Sequence, residues 1–267
     1  PAAAHDPPGA DVTAVAFLPT RKLEDWRYAD LDALARVWPP EHGPERISVR
    51  AGDAERMVIA ALEPKDGVAL REIEIKLLPG ARFSLFALIH GAAYARLSVK
   101  VELMEAAHFE FGAVILGAGN QTLEIVSEVL HAAPGATSNQ VLRSVLAGTA
   151  TGSVLNRVRV ARDAQHSDAM QSIRAMLLDR GASANAKPEL EILADDVKCA
   201  HGATVGELDR QALYYLATRG LTPPEARRLM LQAFIADAFV AGEGHREGHQ
   251  DVAQVEQAAQ AALGALL

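Results

Sequence analysis

From about residue 68 the chain alternates apolar and polar side chains, segment after segment. Ile73, Ile75 and Leu77 are interleaved with Glu72, Glu74 and Lys76, and Ala95, Leu97, Val99, Val101 and Leu103 with Arg96, Ser98, Lys100 and Glu102. Phe109 and Phe111 flank Glu110, and Val158 and Val160 flank Arg159. Successive side chains of a strand point to opposite faces, so a period of two marks a strand with one buried face. Pro79-Gly80, Gly117-Ala118-Gly119-Asn120, Pro134-Gly135, Gly148 and Gly181 punctuate the run as turns. No helical pattern of about ten residues interrupts the region, which excludes the alternating helices of a doubly wound α/β fold.

A weak recurrence runs through the same region. Pro79-Gly80-Ala81, Glu105-Ala106-Ala107, Pro134-Gly135-Ala136, Arg162-Asp163-Ala164 and Arg180-Gly181-Ala182 each follow one apolar strand and precede another. Such a rhythm suits a β-solenoid, whose stacked coils share one core. The intervals are irregular, so on periodicity alone a β-sandwich stays open beside the solenoid.

The flanks read differently. Residues 1–20, rich in Pro, Ala and Gly, are expected to form a loose arm. Thr20 is placed as the N-cap of a small helix, with Leu23, Trp26, Leu31 and Leu34 along one face. After Gly206, Leu208, Leu213, Tyr215 and Leu216 indicate a short helix that Gly220 ends. Thr222-Pro223-Pro224-Glu225 then supplies a cap, a proline at the first helical position and a glutamate three residues on. Ala226, Leu229, Met230, Ala233, Phe234 and Phe239 follow at helical spacing. Gly242 and Gly244 break that helix, and residues 245–267 form a last one. The expected division is therefore an N-terminal arm and helical segment over 1–67, a β core over 68–206 and a C-terminal helical region over 207–267.

The 267 residues are 49% hydrophobic but only 5% aromatic, so the core must be aliphatic and alanine-rich. A net charge of −8 argues against a general binder of nucleic acid or anionic membrane. No apolar run reaches the roughly 20 residues of a membrane helix. Pro1–Gly9 lacks the basic and apolar regions of a signal peptide. A single cysteine excludes an internal disulfide and fits a reducing compartment, so a cytoplasmic, bacterial-like protein is expected.

That cysteine, Cys199, lies in the stretch KPELEILADDVKCAHGATVGELD over residues 187–209, with His201 two positions on. In an extended strand both share a face with Val197. A thiolate beside an imidazole makes half of a soft-metal site. A whole site takes about three or four ligands, so another chain would have to complete it. The alternative is a small buried hydrophobe beside a hydrogen-bonded structural histidine.

The wording of the stretch resembles the SufB/SufD family of iron–sulfur cluster assembly scaffolds, and within it the SufD branch. Lys187-Pro188-Glu189-Leu190-Glu191-Ile192 and Ala194-Asp195-Asp196-Val197-Lys198-Cys199-Ala200-His201-Gly202-Ala203-Thr204-Val205-Gly206 carry the resemblance. Trp26 and Tyr28 in a charged turn add to it. Members often carry a longer helical region ahead of that turn, and nothing assigned to that region is carried over. The resemblance implies a mainly β fold, a right-handed parallel β-helix core, flanked by helices. It implies a non-catalytic scaffold that pairs with a SufB-like subunit along the β-helix edge and docks a SufC-like ATPase on the C-terminal helices. It implies a nascent iron–sulfur cluster, transient and shared with the partner, with His201 as an iron-side ligand and Cys199 as an auxiliary or structural thiol beside it. Reduced flavin accompanies some complexes of this family, but no flavin-binding signature is present here.

Other chemistry finds little support. His5, His42, His90, His108, His131 and His166 are scattered, and the His245/His249 pair is read as solvated surface. Asp195 and Asp196 are adjacent and so face opposite sides, which suits a turn better than paired acid–base work. There is no Walker-type loop and no nucleophile-elbow serine. A β-helix carbohydrate lyase or hydrolase would need clustered carboxylates on a groove. A structural homodimer joined through solenoid edge strands is the remaining reading.

Overall fold

The computed structural model describes residues 17–62, 64, 66–240 and 249–267. Twelve strands form two parallel six-stranded sheets. One sheet holds β1 (Glu45–Val49), β3 (Val68–Leu77), β5 (Tyr94–Leu103), β7 (Thr122–His131), β9 (Thr151–Val160) and β11 (Ser183–Ile192), in that order. The other holds β2 (Ala54–Ile59), β4 (Arg82–Ile89), β6 (His108–Gly117), β8 (Thr137–Leu146), β10 (Asp168–Leu177) and β12 (Lys198–Gly206). The chain crosses from one sheet to the other after every strand, which makes a β-solenoid of about six coils, two strands to a coil. Parallel neighbours normally need a long crossover; here the strand of the opposite sheet is the crossover.

The registers explain why period two was so visible. Ile73, Val99, Ser127 and Asn156 stack in one column, and Phe83, Phe109, Ser138, Ala169 and Cys199 in another. These columns face inward, and the apolar members of the inward columns fill a continuous aliphatic core with a few phenylalanines. Outward positions carry opposite charges on adjacent coils: Arg46 pairs with Glu74, Lys76 with Glu102, Arg157 with Glu189 and Arg159 with Glu191. Turns between coils sit where glycine was read. At Gly80, Gly119, Gly135 and Gly148 the backbone φ is positive, a conformation a Cβ disfavours.

The solenoid begins before the alternation does. β1 and β2 lie inside the span 1–67 expected to be arm and helix, and they pair with β3 and β4. Their lengths of five and six residues and their exposed positions left little periodicity to read.

Thr20 caps no helix. A 3-10 turn runs from Glu24 to Trp26 with Leu23 at its N-cap, and α1 (Leu31–Leu34) is capped by Asp30, whose carboxylate accepts from the Ala33 N–H at 3.0 Å. Leu23 is exposed, while Leu34 is buried. The segment is held instead by Arg96. Its Nη2 donates to the Asp25 carbonyl at 2.6 Å, and its guanidinium lies 3.9 Å from the Trp26 ring centre. Arg96 also donates to Glu124 at 3.0 Å, and the Tyr94 hydroxyl donates to the same oxygen at 2.8 Å. All three side chains are buried, and burial pushes the Glu124 carboxyl up despite the guanidinium beside it.

The C-terminal helices turn back along the solenoid. α2 (Arg210–Thr218) is capped by Asp209 and buries no residue. α3 (Pro223–Val240) lies over β6 and β8, and α4 (His249–Leu266) over β2, β4 and β6. The buried face of α3 is Ala226, Leu231, Ile235, Ala238 and Phe239. Of the expected stripe, Leu229 and Ala233 point to solvent instead. The buried set packs on Phe86, Leu88, Val114, Leu116 and Val145, the outward apolar positions of β4, β6 and β8. Gly112 permits this approach: a Cβ there would stand 1.9 Å from the Ala238 carbonyl oxygen. Buried Arg143 fastens the helix, its Nε donating to Asp237 at 3.0 Å and its Nη1 to the Ser172 carbonyl at 2.8 Å. Thr222 and Glu225 form the expected cap, the Thr222 N–H donating to the glutamate at 2.8 Å.

Candidate metal-handling site at the open end of the solenoid

β12 pairs only with β10, and β11 only with β9, so the sixth coil leaves both strand edges bare. No helix covers it among the described residues. The inward positions of this coil, which in earlier coils would be roofed by the next turn, face out. Ile192 and Val205 are 40% and 47% exposed for this reason.

Cys199 and His201 stand at two such positions. Cys199 continues the inward column of Ala169, and His201 the column of Leu85, Phe111, Gln140 and Gln171. They share a face, as the alternation predicted, about 6.6 Å apart along the strand. Cys199 is half-buried and packs on the core, and burial pushes its thiol up. His201 is exposed, and no hydrogen bond to its ring is present among the described residues. One side chain is thus anchored and the other free. Two soft-metal donors on a bare edge fall short of a closed site, and no cluster of three or more His, Cys, Asp or Glu side chains occurs among the described residues.

Beneath the pair runs a feature that the alternation concealed. Coils two and three are lined by Ile73, Leu85, Val99 and Phe111. In coil four the same two columns hold Ser127 and Gln140, and in coil five Asn156 and Gln171. All four are buried. They meet across the interior: the Ser127 hydroxyl donates to Gln140 Oε1 at 3.5 Å, and Gln171 Nε2 donates to Asn156 Oδ1 at 2.6 Å and to the Asn156 carbonyl at 3.0 Å. His131, buried in a separate inward column above Leu103, has its Nε2 2.9 Å from Ser138 Oγ, and burial lowers its pKa to about 4. Gln140 Nε2, Asn156 Nδ2 and Gln171 Oε1 have no partner among the described residues. Polar residues at inward strand positions were the available signal; they read only as gaps in the alternation.

The remaining histidines have ordinary places. His108 lies 2.7 Å from Thr137 Oγ1, and His166 pairs with Asp196 at 2.9 Å in the exposed turn that also holds Asp195. His5 and His245 lie outside the described residues, as does the side chain of His249.

The described residues thus form a parallel β-solenoid with flanking helices, and its last strand carries the cysteine–histidine pair. Residues 47–234 match the family model described as "SUF system FeS cluster assembly, SufBD core domain", and the chain belongs to that family. It is 34% identical over 100 residues to the iron–sulfur cluster assembly protein SufD of Escherichia coli, covering 38% of this chain and 24% of that protein. To a SufBD family protein of Synechocystis it is 38% identical over 104 residues, or 39% and 23% of the two chains. To the chloroplastic protein ABCI7 of Arabidopsis thaliana it is 39% identical over 102 residues, or 38% and 22%. The match spans roughly a quarter of the length of these relatives. No helix among the described residues is long and apolar enough to cross a membrane.

Proposed function

We propose that this chain is a non-catalytic, SufD-like scaffold subunit whose uncovered sixth coil pairs with a SufB-like subunit in the cytoplasm. The observation that carries this reading is the placement of His201 and Cys199: both sit on the inward face of a coil that no element roofs among the described residues. Bare edges of β11 and β12 offer backbone groups for strand addition, and the partner supplies the ligands that two donors lack. The nascent iron–sulfur cluster is the cargo of the assembly, held transiently between subunits. His201, exposed and without a hydrogen bond among the described residues, supplies the imidazole; Cys199, anchored on the core, lines the floor beside it. Tyr214, Tyr215 and Leu229, exposed at 74%, 56% and 48%, give α2 and α3 an apolar surface on which a SufC-like ATPase docks. Any reduced flavin belongs to the complex rather than to this chain.

Affinity purification with co-expressed SufB-like and SufC-like subunits tests the reading, followed by anaerobic reconstitution of the complex and of the isolated chain. The complex is expected to form and to take up iron and sulfide, and the chain alone to hold no stoichiometric cluster. A stable cluster on the isolated chain, or failure to capture either subunit, would count against it.

A further inference from the structure

Gln171 lies directly beneath His201 in register on the neighbouring strand, and its amide can face only one way. The side chain is 1% exposed. Its Nε2 is 3.0 Å from the backbone carbonyl of Asn156, a group that only accepts, so the nitrogen must point there. Oε1 is thereby turned away from Asn156, and it has no partner among the described residues. A buried amide oxygen left unpaired costs about 1–3 kcal/mol, so an oxygen held in this state should be explained by what it faces.

The coil above is built to leave it available. Coils four and five each pair the two columns across the interior, Ser127 with Gln140 and Asn156 with Gln171. In coil six the corresponding positions are Pro188 and His201. Proline offers the imidazole no side-chain donor or acceptor. The polar group next to His201 in its own column is therefore Gln171, one strand away and about 4.8 Å across the ladder. The exposed ring has no hydrogen bond among the described residues, so rotating it toward Gln171 breaks none.

We propose that Gln171 is a positioning residue for His201: its Oε1 accepts the N–H of one ring nitrogen and leaves the lone pair of the other directed out of the open end. A metal-ligating histidine commonly donates its second N–H to such an acceptor, which fixes the tautomer and the ring plane. Asn156 acts through Gln171 by clamping its nitrogen. As a positioning role this rests on the metal-handling reading above, whereas the hydrogen bond itself does not.

The test is nitrogen-15 NMR of the full chain with labelled histidine, at a pH where imidazole is neutral. The His201 signals are assigned by their loss in His201→Ala, and exposed His42 serves as the internal reference for an unconstrained ring. In the wild type, His201 is expected to show one strongly dominant tautomer, with one protonated and one unprotonated nitrogen well separated in shift. Gln171→Met should move these shifts to the averaged pattern of His42, while Gln171→Glu, which keeps an acceptor in place, should retain the single tautomer. A wild-type His201 with the averaged pattern of His42 overturns the assignment without any variant, and so does a Gln171→Met chain whose His201 shifts are unchanged. A locked His201 in a chain whose His201→Ala complex still builds clusters would leave the hydrogen bond standing and defeat only the metal-handling reading.

Discussion

Coils two and three and coils four and five share one backbone plan and differ in what they enclose. Around Phe83, Phe109 and Phe111 the interior is wholly apolar, and the outer face of β4 and β6 is roofed by α3 and α4. In coils four and five the columns of Val99 and Phe111 hold Ser127, Asn156, Gln140 and Gln171, that of Leu103 holds His131, and three amide atoms have no partner among the described residues. The first half gains stability from area removed from water. The second gives some of that up along a line that ends under His201. Departures of this kind from local consistency are expected where a fold serves a site rather than itself.

The sharpest way to break this contrast is to truncate one residue of the apolar half. Phe111→Ala empties a fully buried position and should cost about 3–5 kcal/mol in denaturant unfolding. A loss near zero would mean that the aromatic coils do not carry the fold.

His131 tests the polar half through pH. Its folded pKa of about 4 lies below the ordinary 6.5 because burial penalises the charged ring. The folded state therefore favours the neutral form. That preference is fully present above pH 6.5 and is lost as pH falls toward 4. Unfolding free energy should drop by about 3 kcal/mol across that window beyond the background trend. His131→Leu, which copies Leu103 one coil below, should remove this share of the slope. An unchanged slope would show that His131 is not the group responsible.

The smallest effect sharpens the comparison. Gln140→Leu replaces a half-satisfied buried amide with the residue type found at Leu85 in the same column. It should change stability by no more than about 1 kcal/mol in either direction. A cost like that of Phe111→Ala would make the polar interior a stabilising feature and remove the contrast.

How much of this was legible depended on how regularly each residue followed its pattern. The strands between Ile73 and Val160 were readable because their inward positions are nearly all aliphatic. β1 and β2 were not, since short strands of a terminal coil bury too few residues to set a period. The cap at Thr222 and Glu225 was read correctly because it depends on local geometry alone. The face of α3 was not, because Gly112 and Phe86 on distant strands decide which side of the helix approaches the sheet. Cys199 and His201 were legible as neighbours on one face. What surrounds them was not: the edge of the sixth coil, bare among the described residues, and the amide column beneath are properties of stacking, invisible in a two-residue spacing.

The central claim is that His201 serves an assembly and not the fold. Its most direct test is His201→Ala, with unfolding of the isolated chain and cluster formation by the full complex measured on the same preparation. The exposed, unbonded ring predicts a stability change within about 0.5 kcal/mol, together with loss of cluster formation in a complex that still assembles. A His201→Ala complex that assembles, melts as the wild type does and builds clusters at the wild-type rate would contradict the account.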